Sequence, residues 1–120
     1  MAESHRLGTR GESIAAAHFE SAGWRVLARN WRFGHGEIDL IVRRDRTVAF
    51  VEVKTRARLC WGHPLHAIDP RKRQEIERVA RVWLDRHGRL GDELRFDAVA
   101  VYRDDAGALR VEHVEDAWRL

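Results

Sequence analysis

A helix set between apolar strands constrains this chain more than any other feature. Asp69-Pro70 places an N-cap acceptor before a proline at the first helical position, and Gly88 supplies the stop. Between them Ile76, Val79, Ala80 and Trp83 recur at helical spacing and give the helix one apolar face. Ahead of it, WRVLARNWRF, EIDLIVRR and TVAFVEVKT read as three strands joined at Gly34-His35-Gly36 and Asp45-Arg46. Turns that short favour an antiparallel meander. Behind the helix, RFDAVAVYR and ALRVEHV read as two more strands around Asp104-Asp105-Ala106-Gly107. A right-handed crossover through the helix makes the third and fourth strands parallel, so the sheet must be mixed.

The rest of the chain fits around that unit. Thr9-Arg10-Gly11-Glu12 has the spacing of a capping box, followed by the helical stretch SIAAAHFESA and a stop at Gly23. Residues 57 to 68 read as an irregular loop beside the end of the third strand. The expected architecture is an α/β sandwich of order αβββαββ, one domain across residues 1–120. No segment approaches the roughly 18 apolar residues that span a bilayer, and the first residues carry no apolar signal-peptide core. With one cysteine, Cys60, no internal disulfide forms, and the expectation is a cytoplasmic protein with no membrane partner. Cys60 has no recognisable orienting group for a nucleophile, and His35, His63 and His66 match no structural zinc spacing.

Charge is unevenly spread. Residues 24 to 58 hold nine basic and four acidic side chains, and residues 71 to 89 hold seven and three. Residues 90 to 120 reverse this, with four basic and eight acidic. A basic middle can draw polyanions, or can be no more than a solvated arginine-rich face.

The segment FVEVKTR, residues 50 to 56, raises a sharper question. Strand alternation sends Val51 and Val53 to one face and Glu52 and Lys54 to the other. Lys54 is one of only two lysines among 22 basic residues, so arginine was available and not used. On the preceding strand Glu37 and Asp39 also share a face. Pairing through the Asp45-Arg46 turn sets Asp39 opposite Glu52. Two carboxylates about 4 Å apart repel by about 4 kcal/mol at an effective dielectric near 20. A protonated carboxyl, the Lys54 ammonium or a divalent cation can offset that. Waters and one or two carboxylates are what Mg²⁺ prefers. Lysine is a compact charge able to act on a neighbouring water, whereas arginine stays a broad protonated fork. The competing account is an edge strand whose charges face water.

GEIDLIVRR, VAFVEVKTR, the early GES and IAAAHFESAGW, the lysine-bearing second helix and RFDAVAV together resemble the YraN family of the restriction-endonuclease-like superfamily. The resemblance implies a three-layer sandwich, a mixed β-sheet flanked by helices, and a metal-dependent nuclease acting on DNA. It implies Asp39 and Glu52 as carboxylates for Mg²⁺ or Mn²⁺ and Lys54 as the catalytic lysine. It also matches Glu12 to a first-helix glutamate of archaeal Holliday-junction resolvases, which suggests structured or branched DNA, and makes Glu37 a secondary site candidate. The pattern departs from the superfamily's namesake motif at Ile38, which stands where proline precedes the aspartate.

Around this set, Arg56 and Arg58 continue the face of Lys54 and are candidates for phosphate contact, as is Lys72 at the start of the second helix. Each also has a plainer account, as solvated arginine or as a snorkelling lysine stem. Glu12 likewise has a plain account as the last member of the capping box. Trp83 is a core residue, Trp31 and Trp61 lie where they can pack or stack on bases, and Asp97 among apolar neighbours suits a buried network. The alternative function is a nucleic-acid-binding protein of the same fold without turnover. An interaction protein using the acidic C-terminal part is a third class.

Overall fold

The computed structural model describes residues 2–58 and 68–119, the side chains of 2–9 and 56–58 excepted. The elements follow the expected order: α1 (Ala2–Ser21), β1 (Arg25–Phe33), β2 (Gly36–Arg44), β3 (Thr47–Arg58), α2 (Pro70–His87), β4 (Glu93–Arg103) and β5 (Leu109–Trp118). The strands form one sheet in sequence order. β1–β2, β2–β3 and β4–β5 are antiparallel. β3 and β4 run parallel, as the intervening helix requires. Residues 59–67, with Cys60, Trp61, His63 and His66, lie outside the described residues.

The two helices cover opposite faces of the sheet. Ile76, Val79, Ala80 and Trp83 of α2 pack with Ile41, Val48, Phe50 and Phe96. Ala15, Ala16 and Phe19 of α1 pack with Leu40, Val42, Ala49, Val51 and Val99. Period-two alternation in β3 thus feeds both cores, with Val48 and Phe50 on one side and Ala49 and Val51 on the other. The α2 boundaries agree with the sequence: Asp69 Oδ1 accepts from the Lys72 backbone N–H at 2.9 Å, and the Gly88 N–H reaches the Leu84 carbonyl at 2.8 Å.

The start of α1 corrects the sequence reading. The helix begins at Ala2, so Thr9 lies inside it rather than at its N-terminus. A Thr-x-x-Glu spacing is a helix start only where the preceding residues leave the helix, and Ala2–Gly8 do not. Glu12 is therefore released from capping. β3 also runs further than expected, through Arg58, so Ala57 and Arg58 belong to the strand rather than to the loop read over residues 57 to 68.

Buried polar groups tie α1 to the far side of the sheet. Asp97 is wholly buried and receives Arg95 through two bonds of 2.8 Å, His113 Nε2 at 2.7 Å and the Asp116 backbone N–H at 3.1 Å. Burial alone would raise its pKa, but the bonds from His113, Arg95 and Asp116 outweigh it and hold the carboxyl below its ordinary value. His113 Nδ1 lies 3.0 Å from His18 Nε2 on α1. This is the buried network that the sequence suggested for Asp97.

Close approach of α2 to the β1–β2 hairpin depends on Gly36. A Cβ there would overlap Val79 Cγ2 and lie 3.0 Å from Arg78 Nη2. Gly36→Ala is expected to destabilise the protein by about 1–3 kcal/mol through overpacking, read as a lower Tm in thermal unfolding. An unchanged Tm would show that α2 can shift at no cost.

Candidate functional site

The site begins where two strands part. The β2–β3 register pairs Val42 with Ala49, Ile41 with Phe50 and Leu40 with Val51, and the ladder stops there. One more step of the same register sets Asp39 opposite Glu52, as the turn position implied. Asp39 makes up for the missing backbone partner: its Oδ2 accepts the Val53 N–H at 2.8 Å. A strand end that would leave a donor unpaired is closed by a side chain, where the backbone pairing of the two strands ends.

Glu52 occupies the row beside this opening. It is only 4% exposed and lies on the α2 side, the face of Phe50. Its Oε1 is 3.3 Å from Lys54 Nζ. On β4 the residues in register with Glu52 and Lys54 are Ala98 and Ala100. Burial, then the charge of Glu52, then that of Glu12 raise the pKa of Asp39 to about 8, against the Val53 bond that lowers it. At neutral pH and without a cation, the Asp39–Glu52 pair therefore keeps a proton.

Both helices reach this pair from their own sides. On α1, a Cβ at Gly11 would overlap Thr55 Oγ1 of β3, so only glycine lets the helix sit this close. Next to it Glu12 Oε2 accepts from Asn30 Nδ2 of β1 at 3.0 Å. On α2, burial works against the charge of Lys72, but the fields of Glu52, Glu75 and Asp39 outweigh it and raise its pKa. Lys72 Nζ lies 3.5 Å from Glu75 Oε2. The lysine that looked like a snorkelling stem is thus electrostatically part of the carboxylate cluster.

Of the residues singled out from sequence, Asp39, Glu52 and Lys54 come together, and Glu12 and Lys72 lie within electrostatic reach of them. Glu37 is drawn aside: its Oε2 accepts from Arg32 Nε at 2.9 Å on the β1–β2 ribbon. The side chains of Arg56 and Arg58 lie outside the described residues. Trp31 packs against the α2-side core with its ring edge-on to His87, 6.3 Å between centroids. Two neighbours of the cluster went unread in the sequence, Glu75 and Asn30. Asn30 carried a signal, being the only asparagine in the chain and lying within a strand pattern.

The raised pKa of Asp39 has a definite sign. Its folded value of about 8 lies above the ordinary carboxylate range near 4, so the metal-free fold gains stability from the bound proton at low pH. That gain is lost as pH rises towards 8. Asp39→Asn keeps an acceptor for Val53 and removes the titration. In chelator, this variant is expected to melt above the wild type at pH 8, with the gap closing towards pH 5. A gap that does not change with pH would mean that Asp39 is ionised throughout.

The comparisons with known proteins bear on the whole of this arrangement. The model of the uncharacterised protein family UPF0102 matches residues 11–101, a span that includes every member of the cluster. A UPF0102 protein of Beutenbergia cavernae is 44% identical over 114 residues, covering 95% of this chain and 97% of its own. One from Parafrankia is 43% identical over 118 residues, covering 98% and 100%. Another, from Geobacter sulfurreducens, is 41% identical over 114 residues, covering 95% and 89%. On a match of this length and closeness, the chain belongs to the uncharacterised protein family UPF0102.

Proposed function

We propose that the protein is a metal-dependent nuclease of restriction-endonuclease-like architecture that hydrolyses phosphodiesters in DNA. The observation that carries this reading is the facing pair at a strand opening, a half-buried Asp39 and a buried Glu52, with Lys54 3.3 Å from Glu52. A purely structural sheet gains nothing from two opposed carboxylates.

The donor set fits a hard divalent cation. Both carboxylates offer oxygen ligands, and the proton that Asp39 keeps at neutral pH marks a place where positive charge is wanted. Among the described residues no three His, Cys, Asp or Glu side chains converge as a ready cage. That suits Mg²⁺ or Mn²⁺, which are commonly held by one or two carboxylates together with water and substrate phosphate. Asp39 and Glu52 would hold the ion. When bound, it supplies charge to neutralise the carboxylates and Lewis acidity towards a phosphoryl oxygen.

The chain's own groups would do the rest. Water oxygen adds to phosphorus, one P–O ester bond breaks, and a proton ends on the departing hydroxyl. Lys54 would orient the attacking water and stabilise the charge that builds on the phosphoryl oxygens. Lys72, on the first turn of α2, would hold an adjacent phosphate, and Glu12 would add negative charge on the α1 side of the pair. Arg56 and Arg58, further along β3 from Lys54, would grip the backbone without reading bases. The likeness of Glu12 to the resolvase glutamate points to structured or branched DNA as the substrate, a likeness at the level of fold.

A second reading has one observation in its favour. Lys54 is paired with Glu52 and Asp39 is occupied by Val53, an arrangement that also suits a binding protein without turnover. Labelled linear, flapped and four-way-junction DNA, each with and without Mg²⁺ or Mn²⁺, separates the two. Metal-dependent cleavage is expected, with a loss of a hundredfold or so in Lys54→Ala, in the range typical of a proton-transfer or electrostatic group. Lys54→Arg is expected to keep the fold and lose most activity. Salt-sensitive binding without product would select the binding protein. Neither binding nor cleavage would sink both.

A further inference from the structure

Asn30 stands out on three independent observations. It is the chain's only asparagine. Its φ is +50°, in the middle of β1 rather than in a turn. And its Nδ2 donates to Glu12 Oε2 at 3.0 Å.

The backbone conformation has a local consequence. Register in β1–β2 pairs Arg29 with Leu40 and Trp31 with Ile38, but the intervening row, Asn30 and Asp39, is skipped. Left-handed φ is costly for most side chains and least so for asparagine, aspartate and glycine. The residue at position 30 therefore has to tolerate the kink that leaves Asp39 without a β1 partner. Three residue types would meet that requirement.

The side chain narrows the choice to one. Glycine would make no bond to Glu12, and aspartate would turn a second carboxylate towards it. Only asparagine combines the tolerated backbone with an N–H donor. Its neighbour Arg29 donates to Ser13 Oγ at 3.0 Å, so adjacent residues of β1 hold adjacent residues of α1. Gly11 against Thr55 fixes the same turn of α1 from β3.

We infer that Asn30 is a positioning residue that aims the Glu12 carboxylate at the Asp39–Glu52 pair. The inference rests on the proposed metal-dependent site, and it assigns Asn30 no contact with substrate. It predicts coupling between positions 30 and 12, which a residue needed only for the kink would not show.

A double-mutant cycle on the full chain provides the test, with kcat on the cleaved DNA, Mn²⁺ affinity by titration calorimetry and Tm read in parallel. Asn30→Gly keeps the backbone conformation and should lower kcat about tenfold, the scale of a hydrogen bond to a charged group, with a matching loss of Mn²⁺ affinity. Asn30→Asp should lose more while remaining folded. In a Glu12→Gln background, Asn30→Gly should change kcat by less than about twofold, because the partner is already gone. Full activity of Asn30→Gly, full activity of Glu12→Gln, or losses that simply multiply would each overturn the inference while leaving the nuclease reading intact. A wild type that neither binds Mn²⁺ nor cleaves DNA would overturn both.

Discussion

The hydrogen bond from the Val53 N–H to the Asp39 carboxylate is the contact on which the site depends. A β-sheet has to satisfy every buried backbone donor, and a strand that leaves the ladder early strands the donors of its neighbour. Here β2 pairs with β3 only from Leu40 onwards, and the side chain of the preceding residue, Asp39, takes the place of a carbonyl. The substitution lets the sheet open without a buried unpaired N–H. It also fixes a carboxylate in the opening, beside Glu52.

An opening of this kind is what lets opposite faces of a sheet share one site. Phe50, Glu52 and Lys54 face α2, whereas Val51 and Thr55 face α1. In an unbroken sheet, groups on α1 and α2 are kept apart by a layer of backbone. At the row of Asn30, Asp39 and Glu52, pairing is skipped between β1 and β2 and ended between β2 and β3. Asp39 is linked electrostatically to both helices across that gap: Glu12 of α1 raises its pKa, and Asp39 in turn raises that of Lys72 on α2. The cluster is thus a property of a row in the sheet, assembled from four elements.

Much of this was legible in the sequence because it rests on local rules. Asp69-Pro70 and Gly88 bound α2 at the expected residues, since N-cap and stop chemistry act within one turn. Turn placement at Asp45-Arg46 carried the register far enough to set Asp39 against Glu52, since antiparallel pairing through a short turn leaves one solution per face. What was not legible depends on contacts between distant segments. Thr9 was misread because a local spacing cannot reveal that the helix has already begun. Lys72 was ambiguous because its apolar-side position says nothing of the carboxylates that reach it from β2 and β3. Asn30 was passed over because strand propensity treats asparagine as a flaw, whereas here the kink and the amide are both used.

The scarcity of lysine gains weight from where the two lysines lie. Twenty arginines are distributed over the chain, yet both lysines stand within the field of the same carboxylates: Lys54 beside Glu52, and Lys72 under the influence of Glu52, Glu75 and Asp39. A guanidinium in either place would present a flat fork suited to bidentate pairing and would lock a carboxylate into one geometry, as Arg95 locks Asp97. An ammonium neutralises from a point and leaves the carboxylate oxygens free to turn towards another ligand. The chain uses arginine where a carboxylate is to be held fixed, at Asp97 and at Asp92 with Arg43, and lysine where one is to stay available. The same distinction separates a buried network that ties α1 to the sheet from a cluster in which the Asp39 carboxyl keeps a proton.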